Sequence, residues 1–181
     1  MARSSFDELL LHEFLLEPEL VDEFGIAEAM RKRVGSDGAT LTMLSGNMVF
    51  GEPISAVVLT VVQKQVSKLH NTATITRSVA DILATLKSES DKYHSCCRSA
   101  ICYGVVGKPS RAIKPLLVAA SVNDNWARHH HNFGLIQGLE NNLEEAQFEL
   151  HLALEREPYE DARMRIQEAQ RICAEMLTVT G

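Results

Sequence analysis

Residues 93–126 read YHSCCRSAICYGVVGKPSRAIKPLLVAASVNDNW, and residues 127–160 read ARHHHNFGLIQGLENNLEEAQFELHLALEREPYE. The two stretches align without a gap, so each residue of the first has its match 34 positions later. Small residues recur at four matched positions: Ala100 with Gly134, Gly104 with Gly138, Ala112 with Ala146, and Ala119 with Ala153. A repeat of this length indicates one supersecondary unit used twice, and we predict two antiparallel helices for each unit.

The small residues have a reason in packing. Two helices approach closely only where the side chains between them are small, so Gly134 on the first helix is expected to face Ala146 on the second. Ala100 and Ala112 are the corresponding pair in the first unit. Larger apolar residues fill the shared core of both units: Ile101, Tyr103, Ile113, Leu116 and Leu117, then Phe133, Ile136, Phe148, Leu150 and Leu154.

Turn residues separate the two helices of each unit at the same offset. Residues 107–110 contain Gly and Pro, with Ser110 as the predicted N-cap of the second helix, and residues 140–142 are Glu, Asn and Asn. Pro158 ends the second unit. Pro115 lies inside a predicted helix, where it removes a hydrogen bond, so that helix either starts late or kinks.

The repeat resembles the tetratricopeptide repeat family at five positions: Trp126, Gly134, Ala146, Ala153 and Pro158. Ala100 and Asp124 depart from the family pattern, which favours glycine and proline there. The resemblance covers residues 93–160 and implies an all-α fold, a superhelix of antiparallel helical hairpins. An ordinary helical bundle with chance spacing is the alternative.

The flanking segments complete the predicted domain, residues 53–181. A capping helix is expected over residues 160–177, because Ala162, Ile166, Ala169, Cys173 and Met176 share one face. Pro53 to His70 and Ser78 to Leu86 are predicted as a further helix pair, at best a degenerate third repeat.

Residues 1–52 are predicted as a helical extension that ends in a loop over residues 36–52. Ser5 and Glu8 match a capping box that opens a helix from Phe6 to Leu16, and a second helix is expected from Pro18 to Arg33. The first helix is apolar around more than one face. Phe6, Leu10 and Phe14 are therefore predicted to mediate self-association or docking, the alternative being a helix sandwiched in the core.

Composition argues against several classes of partner. Asp and Glu number 24 against 18 Lys and Arg, and residues 140–181 alone carry ten acids and four bases. Nucleic acid and anionic lipid are poor ligands for such a chain, because both require clustered basic residues. No apolar run approaches the roughly 20 residues that cross a bilayer, and no signal peptide is apparent. We expect a cytoplasmic protein without membrane insertion.

Candidate chemistry is confined to Cys96 and Cys97 with the histidine run at residues 129–131. The alignment matches Cys96 with His130 and Cys97 with His131, which is the one arrangement that suggests zinc. Consecutive helical residues diverge by about 100 degrees, however, whereas zinc needs four converging ligands. We therefore predict no metal, no cofactor and no catalytic residues, because no oriented nucleophile or phosphate-binding loop is apparent.

The family resemblance implies a concave groove lined by the first helix of each unit. The expected lining is His94, Cys97, Ile101 and Val105 from one unit and Arg128, His131, Leu135 and Leu139 from the next. This lining is mainly apolar and lacks the carboxylate clamp by which some relatives grip acidic C-termini. An extended or helical apolar segment of a protein partner is the expected ligand. Glutamate at Leu135 and Leu139 is expected to abolish binding without loss of stability.

The overall layout resembles cytoplasmic type III secretion chaperones that hold translocator subunits. Those proteins are small and acidic, with an apolar N-terminal helix for self-association, tandem repeats and a final helix. The resemblance implies a homodimer that shields an apolar segment of a secreted protein until export, without ATP or covalent chemistry. A scaffold or adaptor subunit of a stable complex is the competing interpretation, and a small metal- or thiol-dependent enzyme is the third.

Overall fold

The computed structural model describes residues 5–26, 28, 29, 32, 60–67, 88–123 and 126–180. All regular secondary structure in these ranges is helical, which confirms the predicted all-α class. The helices are α1 (Phe6–Leu15), α2 (Pro18–Glu23), α3 (Glu89–Val105), α4 (Ile113–Val122), α5 (Ala127–Leu139), α6 (Leu143–Arg156) and α7 (Glu160–Thr180), and residues 26, 28, 29, 32 and 60–67 are helical as well. The predictions for residues 36–52 and 71–86 lie outside the described residues.

Helix α1 begins with the predicted capping box. The Ser5 hydroxyl accepts from the Glu8 amide at 3.3 Å, and the Glu8 carboxylate accepts from the Ser5 amide at 3.2 Å. Two amides that the helix itself cannot bond are thereby satisfied. The predicted second helix is interrupted, because α2 ends at Glu23 and Gly25 adopts a left-handed φ of 59°, after which residues 26, 28, 29 and 32 are helical again.

Each predicted repeat forms one helical hairpin, since α3 packs on α4 and α5 packs on α6. In the second hairpin the turn is made at Asn141, whose φ is 61°. A Cβ built on Gly134 would lie 2.6 Å from Leu150 Cγ and 3.2 Å from the Ala146 carbonyl oxygen. The predicted close approach of Gly134 to Ala146 is confirmed.

The first hairpin turns through a 3₁₀ segment, Pro109–Ala112, before α4 begins at Ile113. Pro115 therefore lies in the first turn of α4, where its missing N–H leaves no helical bond unmade, so the late start is the outcome. The N-cap role predicted for Ser110 is wrong. Ser110 lies inside the 3₁₀ segment, and neither this segment nor α4 has a side-chain cap.

Helix α7 packs on α6 and buries Ile166, Ala169 and Cys173. The helix predicted over residues 160–177 is confirmed and continues to Thr180. None of the helices in the described ranges combines the length and the apolar character needed to cross a membrane.

Candidate functional site

Helix α1 lies on the first helices of both hairpins, since it packs on α3 and α5 and also touches α7. Its Phe6 lies over Gly138 near the end of α5, while its Glu13 lies beside His131 near the beginning of α5. Helix α1 therefore runs antiparallel to α5. We call the face of α3 and α5 beneath it the α1 seat.

Two glycines shape the seat. A Cβ built on Gly138 would lie 2.6 Å from Cε2 and Cζ of Phe6, closer than real Cβ atoms approach. A Cβ on Gly104 would meet Leu10 Cδ2 and would lie 2.7 Å from Ile136 Cδ1. Leu10 and Phe6 therefore fit into the seat because these two positions, 34 residues apart, carry no side chain.

The apolar residues of α1 are buried against the rest of the chain. Phe6, Leu10 and Phe14 are 4%, 1% and 0% exposed, and the Phe14 ring lies 6.0 Å from that of Phe24. Within one chain, α1 is therefore buried in the core against α3, α5 and α7, as in the sandwiched alternative. Self-association through these side chains stays a prediction.

Helix α1 packs on α3 and α5, the two helices whose side chains are predicted to line the groove. Five of its eight predicted side chains are buried: Cys97, Ile101, Val105, His131 and Leu135. Three are half-buried: His94, Arg128 and Leu139. Full burial of Leu135 contradicts the expectation that glutamate there would leave stability unchanged, because a carboxylate at 0% exposure needs a partner.

His94 and Cys97 belong to a different cluster from the rest of the predicted lining. Cys97 is buried with Tyr93, Cys96 and Ala119 in a small second core. The His94 ring lies 5.3 Å from the Trp126 ring, which packs on that core. The structure therefore gives these two residues a packing role beside the seat.

A buried carboxylate holds α1 to the seat through charge. Glu13 is 2% exposed, and its Oε1 accepts a hydrogen bond of 3.1 Å from Arg165 Nε on α7. The same oxygen lies 3.6 Å from His131 Nδ1, and Oε2 lies 3.9 Å from Arg128 on α5. Helices α5 and α7 thus converge on one residue of α1.

A second carboxylate, that of Glu17, lies just after the end of α1. Glu17 lies 2.6 Å from a guanidinium nitrogen of Arg128 and 3.5 Å from Arg98 Nε on α3. We call Arg98, Arg128, His131 and Arg165 the carboxylate cradle. It is contributed by three helices that are distant in sequence from α1.

The protonation states in the cradle follow from burial and charge. Burial raises the pKa of Glu13, but His131, Arg165 and Arg128 together outweigh it and bring the pKa below its usual value. Burial lowers the pKa of His131, and it lowers the pKa of His12 to about 4. At neutral pH the carboxylate is therefore ionised, both imidazoles are neutral, and the arginines carry the positive charge.

The thiols are poorly suited to chemistry. Burial raises the pKa of Cys97 to about 12 and also raises the pKa of Cys96 and Cys173. The Cys173 thiol donates to the Leu143 carbonyl at 3.0 Å. Because the thiolate is the nucleophile, these thiols are weak nucleophiles at neutral pH.

The histidine run is spread over different surroundings. His130 Nδ1 lies 2.6 Å from Glu149, and its Nε2 lies 2.5 Å from Arg156, which ties α5 to α6. His131 points to Glu13 instead. Within the described ranges, no group of three or more His, Cys, Asp or Glu side chains is arranged to hold a metal.

Several residues of the site were missed by sequence reasoning. Gly104 and Gly138 were recognised as repeat matches, but they contact α1 and not the partner helix of their own hairpin. Glu13 offered a weak signal, because it is an acid at position i+7 from Phe6 within an apolar stripe. Nothing in the sequence connected Arg165 to it, since 152 residues separate the two.

Comparisons with known proteins do not assign a function to this site. What the seat binds is therefore inferred from its residues alone. No family model matches the sequence, and no curated protein and no solved structure matches it.

Proposed function

We propose that this chain is a protein-interaction module, a tetratricopeptide-like superhelix whose concave groove holds an apolar helix of a protein partner. The position of α1 carries this proposal. A mainly apolar helix lies across the first helices of two consecutive hairpins, with Phe6 and Leu10 inserted over glycines. This is the helix-in-groove mode of peptide recognition, met here within one chain.

Helix α1 has the properties of a ligand held in place by its side chains. Its own capping box satisfies its first amides, so the helix start does not depend on the groove. The helix is held in place because Phe6 and Leu10 pack over glycines. The ion pairs of Glu13, and of Glu17 just after the helix, add to this hold. A partner helix with the same features can replace it contact for contact.

We propose that the protein acts as a chaperone, because its layout resembles that of type III secretion chaperones. Helix α1 would cover the apolar seat while no client is bound, and an apolar helix of the client would take its place. No ATP or covalent step is needed, because exchange of one buried helix for another conserves most of the buried apolar area.

A scaffold or adaptor is the second candidate, and exposed apolar side chains away from the seat favour it. Phe148 on α6 is 56% exposed, and Leu117 on α4 and Met164 on α7 are also exposed, so the prediction of Phe148 and Leu117 as core residues is wrong. In this alternative α1 stays in the seat as core, and a partner binds to the second helices of the hairpins.

Site-specific photo-crosslinking in the native cell separates the two. A benzophenone amino acid is placed in the full chain at Leu139, at the edge of the seat, or at Phe148, as a control on the other helix of the same hairpin. The proposal expects a partner crosslinked from position 139 and little from position 148. Crosslinks to a partner from position 148 alone would favour the scaffold and refute binding in the groove.

A further inference from the structure

We propose that the groove selects acidic amphipathic helices, so that the partner segment carries apolar residues where α1 has Phe6 and Leu10 and a carboxylate where α1 has Glu13. This inference rests on the proposed function, because it names the chemistry of the segment that replaces α1. The occupant we infer is therefore a helix of a protein partner, and α1 is its internal counterpart.

The first step is the placement of Glu13. A carboxylate at 2% exposure is costly unless cations pair with it. The chain supplies them from two helices, with Arg128 on α5 and Arg165 on α7, and the neutral His131 ring lies beside the same carboxylate. The seat is thus apolar at one end and cationic at the other.

The second step is what the cradle does to a helix without the acid. An apolar residue at the position of Glu13 would cover Arg165, which is only 23% exposed, without pairing it, and would leave Arg128 only its ion pair with Glu17. Covering an unpaired charge opposes binding. The cradle therefore favours acidic helices and also rejects purely apolar ones.

The third step is the register of a second acid. Glu17 lies just after α1, as the extended residue before α2, and it pairs with Arg128 and Arg98. The resulting pattern within the helix is apolar at one position, apolar four residues later and acidic at seven, and a second acid follows the end of the helix. In a chain of net charge −6, this cationic end of the seat is where an acidic segment is attracted.

The test uses a fluorescent synthetic peptide of residues 4–18 and measures its binding to the full chain by anisotropy. The full chain that binds the peptide is called the host. The first host variant carries Glu13→Gln, which weakens the hold of its own α1 without changing the shape of that helix. A host with Phe6→Ala is the second variant, and circular dichroism checks that both are helical. For the wild-type chain, a peptide with benzophenone at position 10 is crosslinked and its attachment site is mapped.

We expect the peptide to bind the Glu13→Gln host at least tenfold more tightly than the wild-type chain, whose own α1 competes at high effective concentration. A peptide with Glu13→Gln should bind at least tenfold more weakly than the unchanged peptide. Asp7→Asn is the matched control, because Asp7 is exposed on α1, and it should change affinity less than twofold. Arg165→Gln in the host should remove most of the difference between the unchanged peptide and the peptide with Glu13→Gln. The benzophenone should attach near Gly104.

The outcomes separate the two proposals. Equal binding of the unchanged peptide and the peptide with Glu13→Gln would overturn the acidic selection and leave helix binding in the groove intact. No binding of any peptide to either host, with no crosslink in the wild-type chain, would overturn both. A dimer in which two copies exchange α1, detected by sedimentation, would put a second copy in the seat and overturn the assignment to a partner.

Discussion

The contact between Phe6 and Gly138 can be tested as a double-mutant cycle in the full chain. The variants are Phe6→Ala, Gly138→Ala and the combination, compared with the wild type. The two positions are far apart in sequence and meet only if α1 lies on the seat. The cycle therefore measures the docking of α1 and nothing local to either helix.

The magnitudes follow from burial and from the 2.6 Å approach. Phe6→Ala removes a ring that is 4% exposed, which costs about 3 to 5 kcal/mol. Gly138→Ala gains up to about 1 kcal/mol in helix propensity but forces a methyl into the ring, at a cost of about 1 to 3 kcal/mol. In the Phe6→Ala background the clash disappears, so Gly138→Ala becomes stabilising. We expect a coupling energy of about 1 to 3 kcal/mol, the size of the relieved clash.

Urea unfolding followed by circular dichroism gives the four free energies of unfolding. Gly134→Ala is the matched control, because Gly134 lies one turn earlier on the same helix and meets Leu150 rather than Phe6. Its cycle with Phe6→Ala should show coupling below about 0.5 kcal/mol. If Gly138→Ala stabilised both backgrounds equally, the ring of Phe6 would not lie over Gly138 and the seat would be misassigned.

Three further predictions concern the charges and thiols around the seat. Burial lowers the pKa of His12 to about 4 and lowers that of His131, so the unfolded chain binds their protons first. The free energy of unfolding should therefore fall as the pH drops from about 6.5 to about 4, with His12 contributing up to about 3 kcal/mol. Over this pH range the urea midpoint should fall less for His12→Gln than for the wild-type chain. Glu13→Gln should lower the free energy of unfolding by about 1 to 3 kcal/mol. This is less than for fully buried ion pairs, because the arginines are partly solvated. Asp7→Asn should change the free energy of unfolding by less than about 0.5 kcal/mol. Cys97 should resist iodoacetamide at about pH 8 until urea unfolds the chain, and fast labelling of the native protein would contradict its raised pKa.

The hairpins were predictable because local rules decide them. Matched small residues fixed the pairing of Gly134 with Ala146, and the Ser5 and Glu8 pattern fixed the first residue of α1. Because proline lacks an N–H, the sequence predicted that the helix containing Pro115 either starts late or kinks. The structure has the late start, at Ile113. The error at Ser110 arose because a 3₁₀ segment displaced the helix start to Ile113.

The docking of α1 was not predictable in the same way. Its apolar surface is visible in the sequence, but the surface that covers it is built from α3 and α5, which begin only at Glu89 and Ala127. An apolar helix has the same pattern whether a second protein or its own chain covers it. The ion pair between Glu13 and Arg165 is likewise a product of tertiary packing, with no periodic signal at Arg165.

The spacing of the two glycines also sets a condition on the shape of any occupant. Phe6 and Leu10 are four residues apart, which in a helix is about 6 Å along the axis. In an extended strand the same residues would be about 13 Å apart, and only one could reach its glycine. The two glycines, 34 residues apart, therefore require an occupant that is helical between these two residues. A segment with the right residues but a central proline would not fit.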